Sequence, residues 1–118
     1  MATGNYDNPW VVETFTPTIE TANGFGIKSW GWVKGVKIGR IAIVSAQGIY
    51  NENVISSDKI ALTIPYKSVS EVNAVALYNS ENIAYVSSRP NGNQTNIYMS
   101  FVTSTNQPYY FGIVIPLA

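Results

Sequence analysis

The segment from Tyr109 to Leu117 is apolar on both of its alternating faces. One set of alternating residues is Tyr, Phe, Ile, Ile, Leu, and the other is Tyr, Gly, Val, Pro. Side chains of a strand point to opposite faces in turn, so neither face of this segment suits water. Ile41–Val44 is also continuously apolar, and Val72–Tyr78 carries apolar side chains on both sides. A chain of 118 residues holds one core, so the second apolar face needs a further cover.

Composition indicates that these segments are strands rather than helices. The chain has 13 Ile and 12 Val against three Leu, with eight Tyr, and β-branched and aromatic residues favour strands. No window keeps the apolar stripe of an amphipathic helix over three turns. Two covers for the second apolar face are compatible with this pattern. One is a second copy of the chain, because most soluble oligomers are symmetric homo-oligomers, and the other is a second sheet with edge loops folded over the strands.

Turn-forming residues divide the chain into eight short segments without a linker, so we expect one domain spanning residues 1–118. The clearest turn is Pro90-Asn91-Gly92, which predicts a hairpin with a type I turn and a G1 bulge. Eight strands with regular turns predict an all-β sandwich, jelly roll or closed barrel. The predicted strands are Trp10–Phe15, Gly26–Lys34, Val36–Ala46, Lys59–Ile64, Val72–Tyr78, Ile83–Ser88, Thr95–Thr103 and Tyr109–Pro116.

Charge and residue usage exclude several classes of function. Seven basic residues balance seven acidic ones and are scattered, which leaves no basic patch for nucleic acid. The lack of His and Cys removes the usual ligands of zinc, copper and iron and any disulfide, so we expect no metal and no cofactor. No segment approaches the roughly 20 apolar residues that span a bilayer, and the N-terminus has no export signal. We therefore expect neither membrane insertion nor export.

The sequence does not predict an enzyme. A glycosidase needs two placed carboxylates, and the seven Asp and Glu residues show no recognisable pairing. A serine hydrolase needs a histidine base, and nucleotide enzymes need glycine-rich phosphate loops, and these motifs are absent. Asp58 is a single charge in an apolar context, which predicts a structural ion pair or an exposed side chain rather than a ligand contact.

Amide and aromatic side chains cluster around the predicted hairpin. Saccharide sites combine an aromatic surface, which packs on the C–H faces of a sugar, with planar hydrogen-bonding side chains. The alternative is that the Asn and Gly residues serve only to form the turn. The cluster consists of Arg89, Asn91, Asn93, Gln94 and Asn96, with Tyr85 and Tyr98 on the flanking strands.

A second aromatic group lies on the predicted strand Gly26–Lys34. Lys28, Trp30, Trp32 and Lys34 share one face of this strand. Three interpretations are compatible with this pattern: a subunit interface, core packing with the lysines extending from its ends, and a stacking platform for a ligand.

Several distinctive segments follow one another along most of the chain. They begin with a tryptophan and a threonine-rich strand and end with an apolar strand at the C-terminus. In chain order they are Trp10–Thr18, Asn23–Gly26, Trp32–Lys34, Val36–Ile43, Ile60–Pro65, Ala84–Val86, Ile97–Phe101 and Tyr109–Leu117.

This order of segments resembles the receptor-binding tips of bacteriophage tail fibres and baseplates, particularly the head domains of receptor-binding proteins from phages of lactic acid bacteria. The resemblance implies a compact antiparallel β-barrel that forms a parallel homotrimer at the tip of the virion tail, without catalytic activity. It also implies binding to a host cell-wall saccharide, including one with glycerol-phosphate units. Residues 1–9 would be the remnant of a connecting neck or an expression start, and the virion-attachment region would be missing.

Sites in this family lie toward the last strands and combine an aromatic residue with charged or amide side chains. The resemblance therefore directs attention to Arg89, Asn91, Tyr98 and Tyr110 as carbohydrate-binding residues. One turn departs from the family pattern. After Pro65 the chain reads Tyr-Lys-Ser in place of a Gly-Tyr-Arg-Pro-like turn.

Overall fold

The structure, a computed structural model, describes residues 11–79 and 82–118. Within these ranges nine strands form one antiparallel sheet, which confirms the all-β prediction. A single 3₁₀ turn at Thr21–Asn23 precedes the third strand. The strands are β1 (Val12–Phe15), β2 (Thr18–Ile19), β3 (Phe25–Ile38), β4 (Ile41–Asn51), β5 (Lys59–Ile64), β6 (Val72–Leu77), β7 (Ile83–Asn91), β8 (Gln94–Ser100) and β9 (Tyr109–Pro116).

The sheet curls into a half-barrel whose two edge strands are consecutive in the chain. Its strand order is β1-β3-β4-β9-β6-β7-β8-β5-β2, so β1 and β2 lie at opposite edges. Only Thr16 and Pro17 separate these two strands in sequence, which holds the edges near each other. The ring of Phe15 meets the ring of Tyr66, just beyond β5, edge-on with centroids 5.1 Å apart. A short connection and a side-chain contact therefore draw the edges of the described sheet together.

The core lies on the inner face of the curled sheet, and β9 runs through its middle. Residues of β9 alternate strictly between buried and exposed from Tyr109 to Pro116. One face of this strand packs in the core, while Tyr110 and Val114 on the other face are exposed in the single chain. The two-sided apolar pattern of β9 thus corresponds to one core face and one surface face. The largest fully buried aliphatic side chains are Val44, Ile49, Leu62, Ile64, Val86, Ile97, Met99, Val102 and Ile115.

The clearest difference from the predicted strands is at Gly35. Sequence patterning places a strand break there, but β3 runs through this residue without interruption. The turn falls instead at Gly39–Arg40, where Gly39 adopts a φ of 57°. Glycine is needed at position 35 for another reason, because a Cβ there would lie 2.3 Å from Cε2 of the Phe15 ring. The absence of a side chain at Gly35 accommodates the Phe15 ring and does not form a turn.

The substitution Gly35→Ala is expected to lower the free energy of unfolding by about 1–3 kcal/mol, because the new methyl group must displace the Phe15 ring. Gly112→Ala on β9 is the matched control, since the nearest atom to a Cβ there is the Val44 carbonyl oxygen at 3.9 Å. Glycine inside a strand is less favourable than alanine by about 0.5–1 kcal/mol, so the control should be neutral or stabilising. Urea unfolding measures both variants, and equal midpoints would contradict the role given to Gly35.

Three smaller differences have local causes. The sequence does not predict β2, because two residues are too few for a periodic pattern. β8 ends at Ser100, earlier than predicted, because Phe101 adopts a φ of 58° and cannot continue the strand. The hairpin between β7 and β8 is confirmed, but its loop is Gly92–Asn93. Positive φ at the first loop residue fits a type II′ turn instead of the predicted type I turn with a G1 bulge.

The N-terminal predictions fall largely outside the described part of the chain. The expected neck remnant at residues 1–9 lies outside it, as does Trp10, the first residue of the first predicted strand. Among the residues that the structure describes, no helix has the length and apolar character needed to cross a lipid bilayer.

Candidate functional site

The outer face of the sheet divides into two regions of different chemistry. Residues paired across neighbouring strands stand side by side on one face, so the register shows which side chains are neighbours. We call the two regions the polar half and the apolar half. The polar half lies on β2, β5, β8, β7 and one end of β6, and comprises Thr18, Thr63, Asn73, Ser87, Arg89, Asn91, Gln94, Asn96 and Tyr98. The apolar half lies on β1, β3, β4 and β9, and comprises Val12, Trp32, Val36, Ile38, Ile41, Ile43, Tyr110 and Val114.

Strand pairing brings Arg89 and Tyr98 together at the centre of the polar half. Arg89 on β7 pairs with Asn96 on β8, and Ser87 pairs with Tyr98 one step along the same two strands. Arg89 and Tyr98 are therefore diagonal neighbours, a position from which long side chains can meet. The central carbon of the Arg89 guanidinium lies 4.4 Å from the centre of the Tyr98 ring. This arrangement is a cation–π contact.

Two carboxylates hold the guanidinium of Arg89. Its Nη2 donates a hydrogen bond to Oδ2 of Asp58, in the loop that precedes β5. Its Nε lies 3.5 Å from Oε1 of Glu71, just before β6. The hydrogen bond to Asp58 is the main cause that raises the pKa of Arg89 above its ordinary value, and the charges of Asp58 and Glu71 add to it against the opposing effect of burial. Arg89 is a fixed cation, and Asp58 adopts the ion-pair alternative of its two predicted roles.

A cleft of about 220 Å³ opens beside this ion pair. Tyr85 supplies an exposed aromatic ring, 55% accessible, which Phe101 holds edge-on at a centroid distance of 5.4 Å. Ser87 and Ser100 contribute hydroxyl groups from buried positions. The complete lining is Asp58, Asn73, Ala74, Tyr85, Val86, Ser87, Arg89 and Ser100. An aromatic surface, an amide, hydroxyls and an ion pair thus share one small space.

The structure separates the four residues that the family resemblance identifies. Arg89 and Tyr98 contact each other, and Arg89 lines the cleft. Asn91 lies at the end of the hairpin and lines a neighbouring cleft with Asn96. Tyr110 lies in the apolar half on β9, which is separated from β8 by β6 and β7. Two of the four residues are therefore in contact, a third is adjacent to them, and Tyr110 belongs to a different part of the outer face.

Sequence reasoning did not assign Asp58, Asn73 or Ser100 to the site. Asp58 is 31 residues before Arg89 in the chain, and it reaches Arg89 only because β5 pairs with β8 and β8 pairs with β7. One signal was present for Asn73, since it is the polar residue in the otherwise apolar strand β6. Ser100 carries no comparable signal.

The apolar half contains two adjacent aliphatic rows, and a polar row separates them from Trp32 and Tyr110. With strands about 4.8 Å apart and residues about 3.4 Å apart, it covers roughly 20 by 20 Å of sheet. Lys34 is the charged side chain that the described register places among these rows. The first row contains Val12, Ile38, Ile41 and Pro116, and the second contains Thr14, Val36, Ile43 and Val114. The third row contains Lys34, Ser45 and Gly112, and the fourth contains Trp32, Gln47 and Tyr110.

The tryptophans at one end of the apolar half are not core residues. Trp30 and Trp32 are 58% and 40% exposed, so the core-packing interpretation of this pair is wrong. β3 bulges between Ile27 and Trp32. The ring of Trp30 lies against Gly48, where a Cβ would be 3.1 Å from Cζ3 of that ring. Gly48 lies at a bulge within β4, and the interface and ligand-platform interpretations of the tryptophans stay open.

Among residues 11–79 and 82–118, no group of three or more metal-ligating side chains is placed to hold a metal ion. Comparisons of the chain with protein-family models, with curated proteins and with solved structures found no match.

Proposed function

We propose that this chain is a receptor-binding domain of a bacteriophage tail tip, which adheres to saccharides of the bacterial cell wall through the cleft beside Arg89. The observation that carries this proposal is the composition of the cleft, in which an exposed tyrosine, an amide, two serines and an ion pair face one space. The resemblance of the segment order supports the phage assignment and the location at the virion tail tip.

Each group in the cleft matches a feature of a sugar ring. Tyr85 offers an apolar surface for the C–H face of a sugar, and its contact with Phe101 fixes the orientation of that surface. The carboxylate of Asp58 accepts hydrogen bonds from hydroxyls, whereas the amide of Asn73 both donates and accepts. Because Arg89 already holds Asp58, less conformational freedom is lost when a ligand binds.

We propose binding without catalysis. Glycoside hydrolysis uses two carboxyl groups that flank the bond to be cleaved. Asp58 and Glu71, the carboxylates of this region, instead contact the same guanidinium. Asp58 lines the cleft, whereas Glu71 contacts the guanidinium from beyond the lining. This arrangement is suited to holding a ligand.

A single site of this kind is weak. A shallow polar site for one sugar unit binds with roughly −4 kcal/mol, which corresponds to a millimolar constant. Several linked sites can raise the overall avidity by about 10² to 10⁴ without any new contact. We therefore propose that the domain acts as a homotrimer, in which the apolar half of each chain packs against other copies.

Two properties of the apolar half support self-association. Its two aliphatic rows are contiguous across four strands, and contiguous exposed apolar patches often are binding surfaces. Its rows contain one charged side chain, Lys34, and the chain has no net charge, so two copies approach without long-range repulsion. The three-fold symmetry is taken from the family resemblance.

Variants of four residues test the position of the saccharide site. Tyr85→Ala is expected to weaken binding about ten-fold, because it removes the aromatic surface of the cleft. Arg89→Ala is expected to abolish detectable binding because it removes the side chain that positions Asp58. Tyr98→Ala is expected to do the same because it removes the ring on which Arg89 packs. Tyr110→Ala is the comparison variant, because Tyr110 has a similar exposure of 44% but lies in the apolar half. It should leave binding at a single site unchanged.

The measurement is an array of bacterial cell-wall glycans, followed by NMR titration of the protein with the strongest ligand. Binding to a neutral glycan should persist at moderate salt concentration. Wild-type binding by both Arg89→Ala and Tyr98→Ala would overturn the site assignment. Loss of binding in Tyr110→Ala alone would move the site to the apolar half.

A structural β subunit without saccharide affinity is the second candidate function. The observation in its favour is the apolar half, which serves assembly alone equally well. An oligomeric protein that binds none of the glycans on the array would select this candidate. A monomeric protein that binds glycans would instead indicate a carbohydrate-binding module.

A further inference from the structure

We propose that the cleft beside Arg89 accepts uncharged or amino-bearing sugar units and disfavours anionic ones. This inference rests on the proposed function and narrows its ligand class. Among the ligands that the sequence predicts, it favours neutral cell-wall saccharides over glycerol-phosphate units. It is argued from the charge balance around the cleft and from the two carboxylates beside the guanidinium.

The charged groups at the cleft carry one net negative charge. Asp58 and Glu71 are both within ion-pair distance of the single cation Arg89. Lys59, the next residue after Asp58, lines a different cleft together with Glu52. The net negative charge therefore repels an anion that enters the cleft beside Arg89 and attracts an ammonium group. It has no net Coulomb interaction with a neutral sugar.

One edge of the guanidinium also lies beside two carboxylates of the protein. Arginine binds phosphate and carboxylate groups most strongly through two adjacent N–H donors. On this edge of Arg89, Nη2 donates a hydrogen bond to Asp58, and Nε lies 3.5 Å from Oε1 of Glu71 without a hydrogen bond. The face of the guanidinium covers the Tyr98 ring. A phosphate would have to compete with the carboxylates of Asp58 and Glu71 before it could bind on this edge.

The remaining lining groups suit hydroxyl and amino donors. Asp58 is acceptor-only when ionised, so a sugar hydroxyl, an amide N–H or an ammonium group is its natural partner. Asn73, Ser87 and Ser100 can donate or accept, and they match the mixed hydroxyl pattern of a sugar ring. Arg89 therefore positions the carboxylate of Asp58 and does not itself bind an anion.

A glycan array that carries neutral, N-acetylated, free-amino, phosphorylated and carboxylated glycans tests this selectivity directly. The expected result is binding confined to neutral and amino-bearing glycans. For one scaffold presented in three forms, NMR titration at pH 6 should rank the amino form tightest and the phosphorylated form weakest. The dissociation constant should rise by about two- to five-fold from the amino form to the neutral form, and again from the neutral form to the phosphorylated form, as for exposed charge pairs.

The variant Glu71→Gln isolates the electrostatic part of the proposal. Glu71 contributes charge without lining the cleft, so this change neutralises the cluster and leaves the contacts of the ligand in place. The ratio of the dissociation constants of the phosphorylated and amino forms should fall by about two- to five-fold. Glu52→Gln is the matched control, since it removes the same charge from the chain at a different cleft, and it should leave the ratio unchanged.

The outcomes separate the two proposals. Preferential binding of phosphorylated or carboxylated glycans would overturn the charge selectivity and leave saccharide binding standing. An unchanged ratio in Glu71→Gln would overturn it as well. Binding to no glycan of any charge would overturn the proposed function and, with it, the selectivity.

Discussion

Replacement of Ile43 by glutamate is expected to convert the proposed homotrimer into a monomer. Ile43 lies in the middle of the apolar half, paired with Val36 on β3 and with Val114 on β9. A carboxylate at this position in an interface between copies would be buried without a partner, which costs several kcal/mol for each copy. We expect the association constant to fall by at least about 100-fold, equivalent to about 2.7 kcal/mol.

Light scattering coupled to size exclusion measures this effect at micromolar concentration. The unmodified chain should show a mass near three times 12.9 kDa and Ile43→Glu a mass near 12.9 kDa. Val54→Glu is the matched control, because Val54 is 61% exposed and lies in the loop between β4 and β5, away from the apolar half. A trimer that persists in Ile43→Glu would place the interface elsewhere, and a monomeric unmodified chain would reject self-association altogether.

Thr95→Val is expected to cause the largest loss of stability among changes of equal size. The Thr95 hydroxyl is fully buried, donates a hydrogen bond of 2.6 Å to the Tyr66 carbonyl oxygen, and accepts one of 2.9 Å from the Ser68 backbone N–H. Valine has the shape of threonine but no hydroxyl, so the Tyr66 carbonyl and the Ser68 N–H both lose their hydrogen-bond partner. Each unsatisfied buried group costs about 1–3 kcal/mol, so the free energy of unfolding should fall by about 2–5 kcal/mol.

Urea unfolding at one fixed protein concentration measures the loss, because association would add to the apparent stability. Thr95→Ser is the control that keeps the hydroxyl and removes one methyl group, and it should cost about 1 kcal/mol. If valine were tolerated as well as serine, the two hydrogen bonds would not be what fixes the segment after β5 against β8.

The sequence predicts most of the strands because local alternation and turn residues determine them. Lys59–Ile64 and Tyr109–Pro116 have the predicted bounds, and both are bordered by turn-forming residues. Gly35 and Gly39 mark the limit of this reasoning. Both interrupt an apolar run, but only Gly39 turns the chain, while Gly35 accommodates the ring of Phe15. That distinction depends on a contact between β1 and β3, which local sequence does not contain.

The sequence predicts the part of the candidate site that lies within one hairpin. Arg89 and Tyr98 belong to one hairpin, so the sequence identifies them as neighbours. Asp58 joins them through the pairing of β5 with β8, which no local pattern indicates. Tyr110 has the outward orientation that a surface site requires, but the strand order puts β9 between β4 and β6, away from Arg89. Strand order is set by long-range packing, and therefore the sequence alone predicts the chemistry of the site better than its location.

The central position of β9 has a consequence for the order of folding events. β3 and β4 form one hairpin, and β6, β7 and β8 form consecutive hairpins, so both groups can assemble from segments adjacent in the chain. β9 connects the groups through pairs as distant as Ile41 with Pro116. Pairing between distant segments is slow, because the loop between them must close first. Docking of β9 is therefore the step that we expect to limit the folding rate. Until it occurs, the apolar half lacks one of its four strands, and the strands that carry the cleft connect to β1 through the edge where β2 pairs with β5.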